Sequence, residues 1–196
     1  MKKGIIVAVI ILVLGLIFGG MVGGTYSGLV EKRNDAKITA WGNVQAAYQR
    51  RLDTIPKFAK NAQFSSEFQI KLATDYAKAR EGFQEAATSG APEKLLATAN
   101  SGFSGLMVAV RAEASVEAKI DQLTELNAEI ENVERVINHE RSAYNEKVSV
   151  YMTTTQQPLG ATFISWFGWS KTFPPMEAFK AQEGAEKSPD YDLKLE

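Results

Sequence analysis

One histidine is present in this 196-residue chain, and its neighbours decide whether it could bind a metal. His139 is followed by Glu140, so a helical zinc site of the H-E-x-x-H type would need a second histidine at position 143. That position is Ala143, and Ser142 precedes it, so the face carries no second ligand. We therefore expect His139 to be a surface or boundary residue, and we expect no metal site.

Carboxylates near this histidine raise a second possibility, a di-metal centre inside a helical bundle. The residues concerned are Glu125, Glu129, Glu131, Glu134 and Glu140. Centres of this kind take Glu-x-x-His pairs from two different helices, and one histidine cannot supply two pairs. We interpret these glutamates as a solvated face.

Nucleophilic catalysis is also disfavoured. The G-x-S-x-G motif of hydrolases is absent, because Gly105 follows Ser104 directly and comes one residue too early. The chain has no cysteine, which excludes a thiol nucleophile, a disulfide, a thiolate metal site and a lipobox anchor. The sequence thus predicts a protein that is not an enzyme and that binds no cofactor.

The partner that the sequence does indicate is a lipid bilayer. The net charge of -1 and the lack of a basic stripe give no indication of nucleic acid. Residues 4–24 carry no charge, and as a helix they would measure about 31 Å, close to the hydrocarbon core of about 30 Å. The run is longer than the apolar region of a signal peptide, about 7–15 residues. We predict a transmembrane anchor; the alternative is cleavage near residues 20–24, where no A-x-A pattern occurs.

Basic residues on both sides of the apolar run bear on its orientation. Lys2 and Lys3 precede it, while Lys32, Arg33 and Lys37 follow it. The positive-inside rule counts both flanks, but the first flank usually dominates and a long following domain is translocated regardless of its charge. We expect the N-terminus in the cytoplasm and the following domain outside it, in the periplasm or the extracellular space.

Glycines in and after the apolar run are spaced four residues apart. They form two series, Gly15, Gly19 and Gly23, and Gly20, Gly24 and Gly28. This spacing places each series along one ridge of a helix, where a missing Cβ lets another helix backbone approach closely in lipid. Membrane helices are glycine-rich in general, but two interleaved series indicate self-association.

The remainder of the chain shows helical periodicity. In residues 29–58 apolar positions recur every three or four residues: Val30, Ile38, Trp41, Val44, Tyr48, Leu52, Ile55 and Phe58. A kink or break is expected at Pro56. Similar stripes follow in residues 66–87, 92–111 and 116–152. We predict an all-α fold, in which a transmembrane helix precedes an antiparallel up-and-down four-helix bundle.

The C-terminal part differs in composition from the bundle. Six aromatic side chains lie within 17 residues: Phe163, Trp166, Phe167, Trp169, Phe173 and Phe179. They predict either a lid on the end of the bundle or an interfacial element, with Lys171 facing lipid phosphate. The predicted organisation is residues 1–25 for stub and anchor, 26–157 for the bundle, 158–179 for the aromatic segment and 180–196 for a charged, mobile tail.

Three motifs in order resemble the LemA family. The stretch YSGLVEKRNDAKITAWGNVQAAYQRRLDTIPKF is similar to the family's opening helix through Tyr26, Leu29, Val30, Arg33, Asn34, Trp41, Arg50, Arg51 and Pro56. ELNAEIENVERVINHERSAYNEKV is similar to its last helix through Ile130, Arg141, Tyr144, Asn145 and Val148. FGWSKTFPPMEAF, followed by EGAEKSP, resembles its C-terminal signature. The segment RAEASVEAK departs from the family pattern, which has a proline before the last helix.

The resemblance implies a membrane-anchored four-helix bundle without established catalytic residues. Relatives are linked with envelope maintenance, with membrane metalloproteases and with magnetosome membranes. From the resemblance together with the residues above, we predict a membrane-anchored, non-enzymatic scaffold or interaction protein of the bacterial cell envelope, which self-assembles through the glycine ridges and the aromatic segment. The alternative is an accessory or sensor subunit that regulates a membrane protease or an envelope-stress pathway. Within the bundle, we expect either Arg50 or Arg51 to pair with a carboxylate of the last helix.

Overall fold

The computed structural model describes residues 2–117 and 119–180. Six α-helices account for most of this part: α1 Lys2–Asn34, α2 Trp41–Asn61, α3 Ser66–Thr88, α4 Pro92–Val116, α5 Leu123–Gln156 and α6 Pro158–Trp166. A π-helical segment, Asp35–Ala40, joins α1 to α2, and 3-10 turns occupy Ile120–Gln122 and Trp169–Lys171. The described ranges contain no strand, so the all-α prediction is confirmed. Apart from Lys180, the predicted tail lies outside the described residues.

The N-terminal helix passes without interruption from the apolar run into the bundle. Residues 2–61 form one helical rod of about 90 Å, at 1.5 Å per residue. In the described part of the chain this is the one helix long and apolar enough to cross a membrane. Its side chains from Ile5 to Ile17 are exposed, because no other described segment packs against them. This arrangement is compatible with a single membrane span.

The π segment keeps the buried residues of this rod on one side along its whole length. Buried residues follow one side of it: Leu29, Ala36, Ala40, Val44, Tyr48, Leu52, Ile55 and Ala59. From the first to the last, 30 residues make eight turns, or about 3.75 residues per turn against 3.6 in an ideal helix, a drift of about 120°. One additional residue in a π turn removes about 100° of that drift. Ile38, expected in the apolar stripe, is instead exposed.

Two helix boundaries differ from the sequence-based expectations. The helix does not break at Pro56 but continues to Asn61, because Ile55 and Ala59 are both buried and their packing outweighs the lost backbone hydrogen bond. Periodicity predicts the last long helix over residues 116–152. It begins instead at Leu123 and ends at Gln156, since α4 extends to Val116 before the chain turns.

The four-helix bundle has a continuous apolar interior. α2 packs most extensively on α5, and α3 on α4. Fully buried side chains from the four helices include Leu52 and Ile55, Leu72, Leu95 and Val110, and Leu126, Val133 and Ile137. A Cβ on Gly102 would lie 3.0 Å from the Cβ of Ala79, so a glycine there permits the close approach of α3 and α4. The α3–α4 turn lies beside Trp41, whose Nε1 donates to the Ala87 carbonyl oxygen at 3.2 Å.

A second, smaller structure lies between this turn and the apolar run. We call it the stem: residues 26–40 together with 144–180. It contains its own cluster of buried residues, Leu29, Tyr151 and Phe173, with Val30, Ile164 and Trp169 packed around them. The stem therefore joins the end of α1 to the end of α5 and to the C-terminal segment.

Candidate functional site

Metal-ligating side chains do not converge in the described part of the chain. In residues 2–117 and 119–180 no group of three or more His, Cys, Asp or Glu side chains is placed to hold a metal ion. His139 is exposed on α5, as are Glu125, Glu129 and Glu131. Glu134 faces the bundle interior instead, where it pairs with an arginine. The stem and the apolar run contain most of the other residues that the sequence singled out.

The two glycine series lie on different sides of α1. Phe18, Tyr26 and Leu29 face the rest of the chain. At about 100° per residue, Gly24 lies about 140° around the helix from Leu29 and about 160° from Tyr26, so Gly20 and Gly24 are on the opposite side, and Gly28 is at its edge, about 100° from Leu29. By the same rotation Gly15, Gly19 and Gly23 lie within about 60° of Tyr26, on the covered side. A Cβ added to any of these six glycines would have no atom of another segment within 4 Å.

The aromatic segment divides into two parts, of which the first lies beside the apolar run. We call α6 and the following turn, residues 158–171, the foot. Phe163 packs edge-on against Phe18 with ring centroids 5.9 Å apart, and Trp169 packs against Tyr26 at 4.8 Å. A Cβ at Gly160 would overlap the Thr154 carbonyl oxygen, so α6 folds back tightly over the end of α5.

Within the foot, the predicted interfacial residues have different surroundings. Phe163 is buried and Trp169 half-buried, both against α1, whereas Trp166 and Phe167 are exposed. Gly168 ends α6 with φ +67°, a left-handed conformation that glycine adopts without strain, and it turns the chain back toward the bundle. The segment is thus a lid for some of its aromatics and an exposed surface for others.

The second part, residues 172–180, is an extended stretch that we call the strap. Side chains of α1 and α5 hold its backbone. Arg33 Nη1 donates to the Thr172 carbonyl at 2.9 Å, and the Tyr151 hydroxyl donates to the Pro174 carbonyl at 2.8 Å. The strap needs such partners because its carbonyls have no regular secondary structure to satisfy them.

The far end of the strap is held more firmly. Asn145 makes two hydrogen bonds with the backbone of Phe179: its Nδ2 donates to the carbonyl at 2.9 Å, and its Oδ1 accepts from the N–H at 2.8 Å. The Phe179 ring stacks on Trp41 at 6.0 Å between centroids and meets Tyr144 edge-on at 5.4 Å. The guanidinium of Arg141 lies 5.0 Å from the same ring. One aromatic side chain therefore joins the strap to the bundle interior.

The sequence model of the LemA family matches residues 40–192, most of the chain, which include α2 to α6 and the strap. The protein belongs to the LemA family. No curated protein and no solved structure matches it. The LemA motif residues Tyr26, Leu29, Arg33 and Asn34 precede the matched region and lie in the stem.

Several residues that carry the resemblance to LemA proteins meet at the strap. Arg33, Tyr144 and Asn145 bond to its backbone, and Trp41 stacks on its last aromatic ring. Asn34 contributes indirectly, since its Oδ1 accepts from Arg33 Nη2 at 3.4 Å. These residues are far apart in sequence, and holding the C-terminal segment against α1 and α5 is a structural role that they share.

Arg51 has a different environment from Arg50. The Arg51 side chain is buried, with 4% of the residue exposed; its Nη1 lies 2.6 Å from Glu134 and its Nη2 donates to Asn100 Oδ1 at 2.7 Å. The guanidinium also lies over the rings of Tyr48 and Phe103. Arg50 is exposed and 3.9 Å from Glu129. The expectation that one of the two pairs with a carboxylate of the last helix is confirmed for Arg51.

Tyr151 is a site residue that sequence reasoning missed. It lies seven residues after Tyr144, on the same face of α5, and a buried tyrosine usually finds an acceptor for its hydroxyl. Two tyrosines at this spacing near the end of a helix could therefore have indicated that another segment packs there and accepts hydrogen bonds from their hydroxyls. Burial raises the pKa of Tyr144 and of Tyr151. Both hydroxyls stay protonated at neutral pH, as donors to the strap carbonyls.

Proposed function

We propose that this LemA-family protein is a membrane-anchored, non-enzymatic scaffold of the bacterial cell envelope. In this proposal α1 crosses the membrane once, the bundle stands outside the cytoplasm, and copies associate through the glycines of α1. The observation that carries the proposal is the unbroken helix from the apolar run into α2, which has one side covered by the stem and the other side bare.

The bare side is the one suited to another helix. Gly20 and Gly24 lie opposite the residues that contact the foot, with Gly28 at the edge of the same side, and a Cβ added to any of the three would meet no other described segment within 4 Å. In lipid, small residues at this spacing allow close backbone contact and favourable van der Waals packing. Two copies that meet through this ridge would leave both feet and both straps on the outside. The series Gly15–Gly19–Gly23 is less suitable, since it borders the face that Phe163 contacts.

Placement of the charged and polar groups supports a binding role over a catalytic one. Arg51 and Glu134 neutralise each other inside the bundle, and Arg33, Tyr144, Asn145 and Tyr151 are bonded to the strap. Their geometry holds the chain's own backbone together. This leaves surfaces, rather than reactive groups, as the means of function.

Self-association is tested with two matched double substitutions. Gly20→Ile with Gly24→Ile should lower the association constant of labelled copies in proteoliposomes by about tenfold, or ~1.4 kcal/mol, because β-branched side chains separate the backbones. Gly19→Ile with Gly23→Ile is the control on the covered side and should change it much less. Energy transfer between donor- and acceptor-labelled chains is the measurement. Equal association of both variants and the parent would remove the packing argument.

Two further observations test the rest of the proposal. Tagged protein extracted in mild detergent should yield a homomeric ladder; a stoichiometric foreign protease in its place would favour the accessory or sensor role. Protease added to cells whose outer envelope is opened and whose cytoplasmic membrane is sealed should digest the bundle. Protection of the bundle until the cytoplasmic membrane is broken would place it in the cytoplasm.

A further inference from the structure

The foot lies at a depth that the apolar run defines. Its Phe163 contacts Phe18, which is six residues before Gly24, the end of that run. In a continuous helix six residues correspond to about 9 Å. If residues 4–24 fill the hydrocarbon core, α6 is therefore below its surface, in the leaflet on the side of the bundle.

The chain around the foot is uncharged, as a segment below the surface of the hydrocarbon core must be. No charged residue occurs between Lys147 and Lys171, a stretch that includes the end of α5 and all of α6. A depth of about 5–10 Å is typical of helices that lie in the interface, and Trp is enriched at this level. Trp169 packs on Tyr26, two residues beyond the apolar run, so Lys171 follows at the level of the headgroups.

Three apolar side chains of the foot are exposed. Trp166 is 69% exposed, and Leu159 and Phe167 are also exposed, although Phe167 stacks on Trp169 with ring centroids 5.0 Å apart. At about 100° per residue, Leu159 and Trp166 lie within about 60° of the buried Phe163 around α6, so the apolar surface that begins at the contact with α1 continues outward. Exposure of this outer apolar surface to water is unfavourable, whereas acyl chains would cover it.

We infer that the foot is embedded in the bundle-side leaflet, with Leu159, Trp166 and Phe167 against acyl chains and Lys171 at the lipid phosphates. The inference rests on the proposed membrane span of α1. It adds a second membrane attachment close to the first. Because the strap and α5 connect this attachment to the bundle, the bundle is fixed in tilt and rotation relative to the bilayer.

The absence of cysteine from the sequence permits a direct test with single nitroxide labels. Trp166→Cys, Phe167→Cys and Leu159→Cys are labelled in the full-length chain and reconstituted in phosphatidylcholine liposomes with phosphatidylglycerol. Collisions with oxygen and with a water-soluble nickel chelate are measured by electron paramagnetic resonance. Ile70→Cys and Val108→Cys on the bundle are matched controls, at 70% and 68% exposure. Ile10→Cys in the apolar run is the standard for the bilayer interior.

The foot labels should resemble the Ile10 label, with frequent oxygen collisions and at least tenfold fewer nickel collisions than the bundle controls. Nickel access at positions 166 and 167 equal to that at 70 and 108, with position 10 protected, would overturn the inference and leave the anchor in place. Nickel access at position 10 would instead overturn the anchor. Protection of the foot that disappears when the protein is diluted tenfold with lipid would assign the surface to a second copy and also overturn the inference.

Discussion

The bundle and the stem are stabilised in different ways, although the helical rod of residues 2–61 and the helix α5 run through both. In the bundle, four helices share one apolar interior, and a buried arginine has its charge met by Glu134. In the stem, two helices and an extended strap enclose a small cluster of buried side chains around Leu29, Tyr151 and Phe173, and hydrogen bonds from side chains to backbone carbonyls hold the strap in place. The bundle should therefore unfold cooperatively, whereas the stem can open locally at a lower free energy.

A leucine-to-alanine substitution made once in the bundle and once in the stem should give the largest difference between the two regions. Leu95 in α4 and Leu29 in α1 are both completely buried. Leu95→Ala should lower the free energy of unfolding of the bundle by about 3–4 kcal/mol, through lost burial and a cavity. Leu29→Ala should shift the urea midpoint of the bundle much less and should increase hydrogen exchange in residues 144–180. Equal shifts of the midpoint would mean that stem and bundle form one cooperative unit.

Adjacent arginines give a second test, confined to the bundle. Arg51→Ala should destabilise the protein by about 3 kcal/mol, the lower end for a broken buried ion pair, because Glu134 keeps partial access to water. Arg50→Ala, on the exposed side of the same turn, is the control and should cost less than about 1 kcal/mol. Urea unfolding followed by circular dichroism measures both. A similar cost for the two variants would contradict the interior role of Arg51.

The smallest of these effects concerns the strap. Asn145→Ala removes both hydrogen bonds to Phe179 and should cost about 1–2 kcal/mol, expressed as release of residues 172–180 rather than as unfolding of the bundle. Limited proteolysis and hydrogen exchange should show the strap exposed while the urea midpoint stays nearly constant. Asn138→Ala, at an exposed position of α5, provides the control. A strap that remains protected would assign its attachment to the aromatic contacts of Phe179 instead.

Periodicity was sufficient to predict the bundle. Apolar stripes at helical spacing predicted the all-α fold and the interior position of Trp41, because each helix must bury one face to be stable. The pairing of Arg51 could also be anticipated, since it lies one residue from the stripe at Leu52 and a buried guanidinium needs a carboxylate. Of the kink or break expected at Pro56, the break does not occur, because packing on both sides of it is a tertiary effect that local propensity does not include.

The strap and the π segment could not be predicted in the same way. The strap has no repeating pattern, and its partners Arg33 and Thr172 are 139 residues apart. A backbone carbonyl that accepts a hydrogen bond from a side chain can belong to any residue type, so the sequence of the strap does not reveal which of its residues are bonded. The π segment depends on the cumulative drift over eight turns, which becomes visible only when both ends of the rod are known to contact α5.

The π segment also makes the length of this rod a constraint. The number of residues between the apolar run and the bundle determines how the two are rotated relative to each other about the rod axis. The segment Asp35–Ala40 contributes the additional residue that brings their buried sides into line. A one-residue deletion there would turn the bundle by about 100° about the rod axis, so that α5 and the foot could no longer pack on α2 and on α1 at the same time. Substitutions at its exposed positions, such as Ile38, are compatible with the fold as long as the residue count is kept, whereas the buried Ala36 and Ala40 leave no room for a larger side chain. A chimera with the transmembrane helix of another protein would have to keep the number of residues between that helix and the bundle, as well as an apolar membrane span.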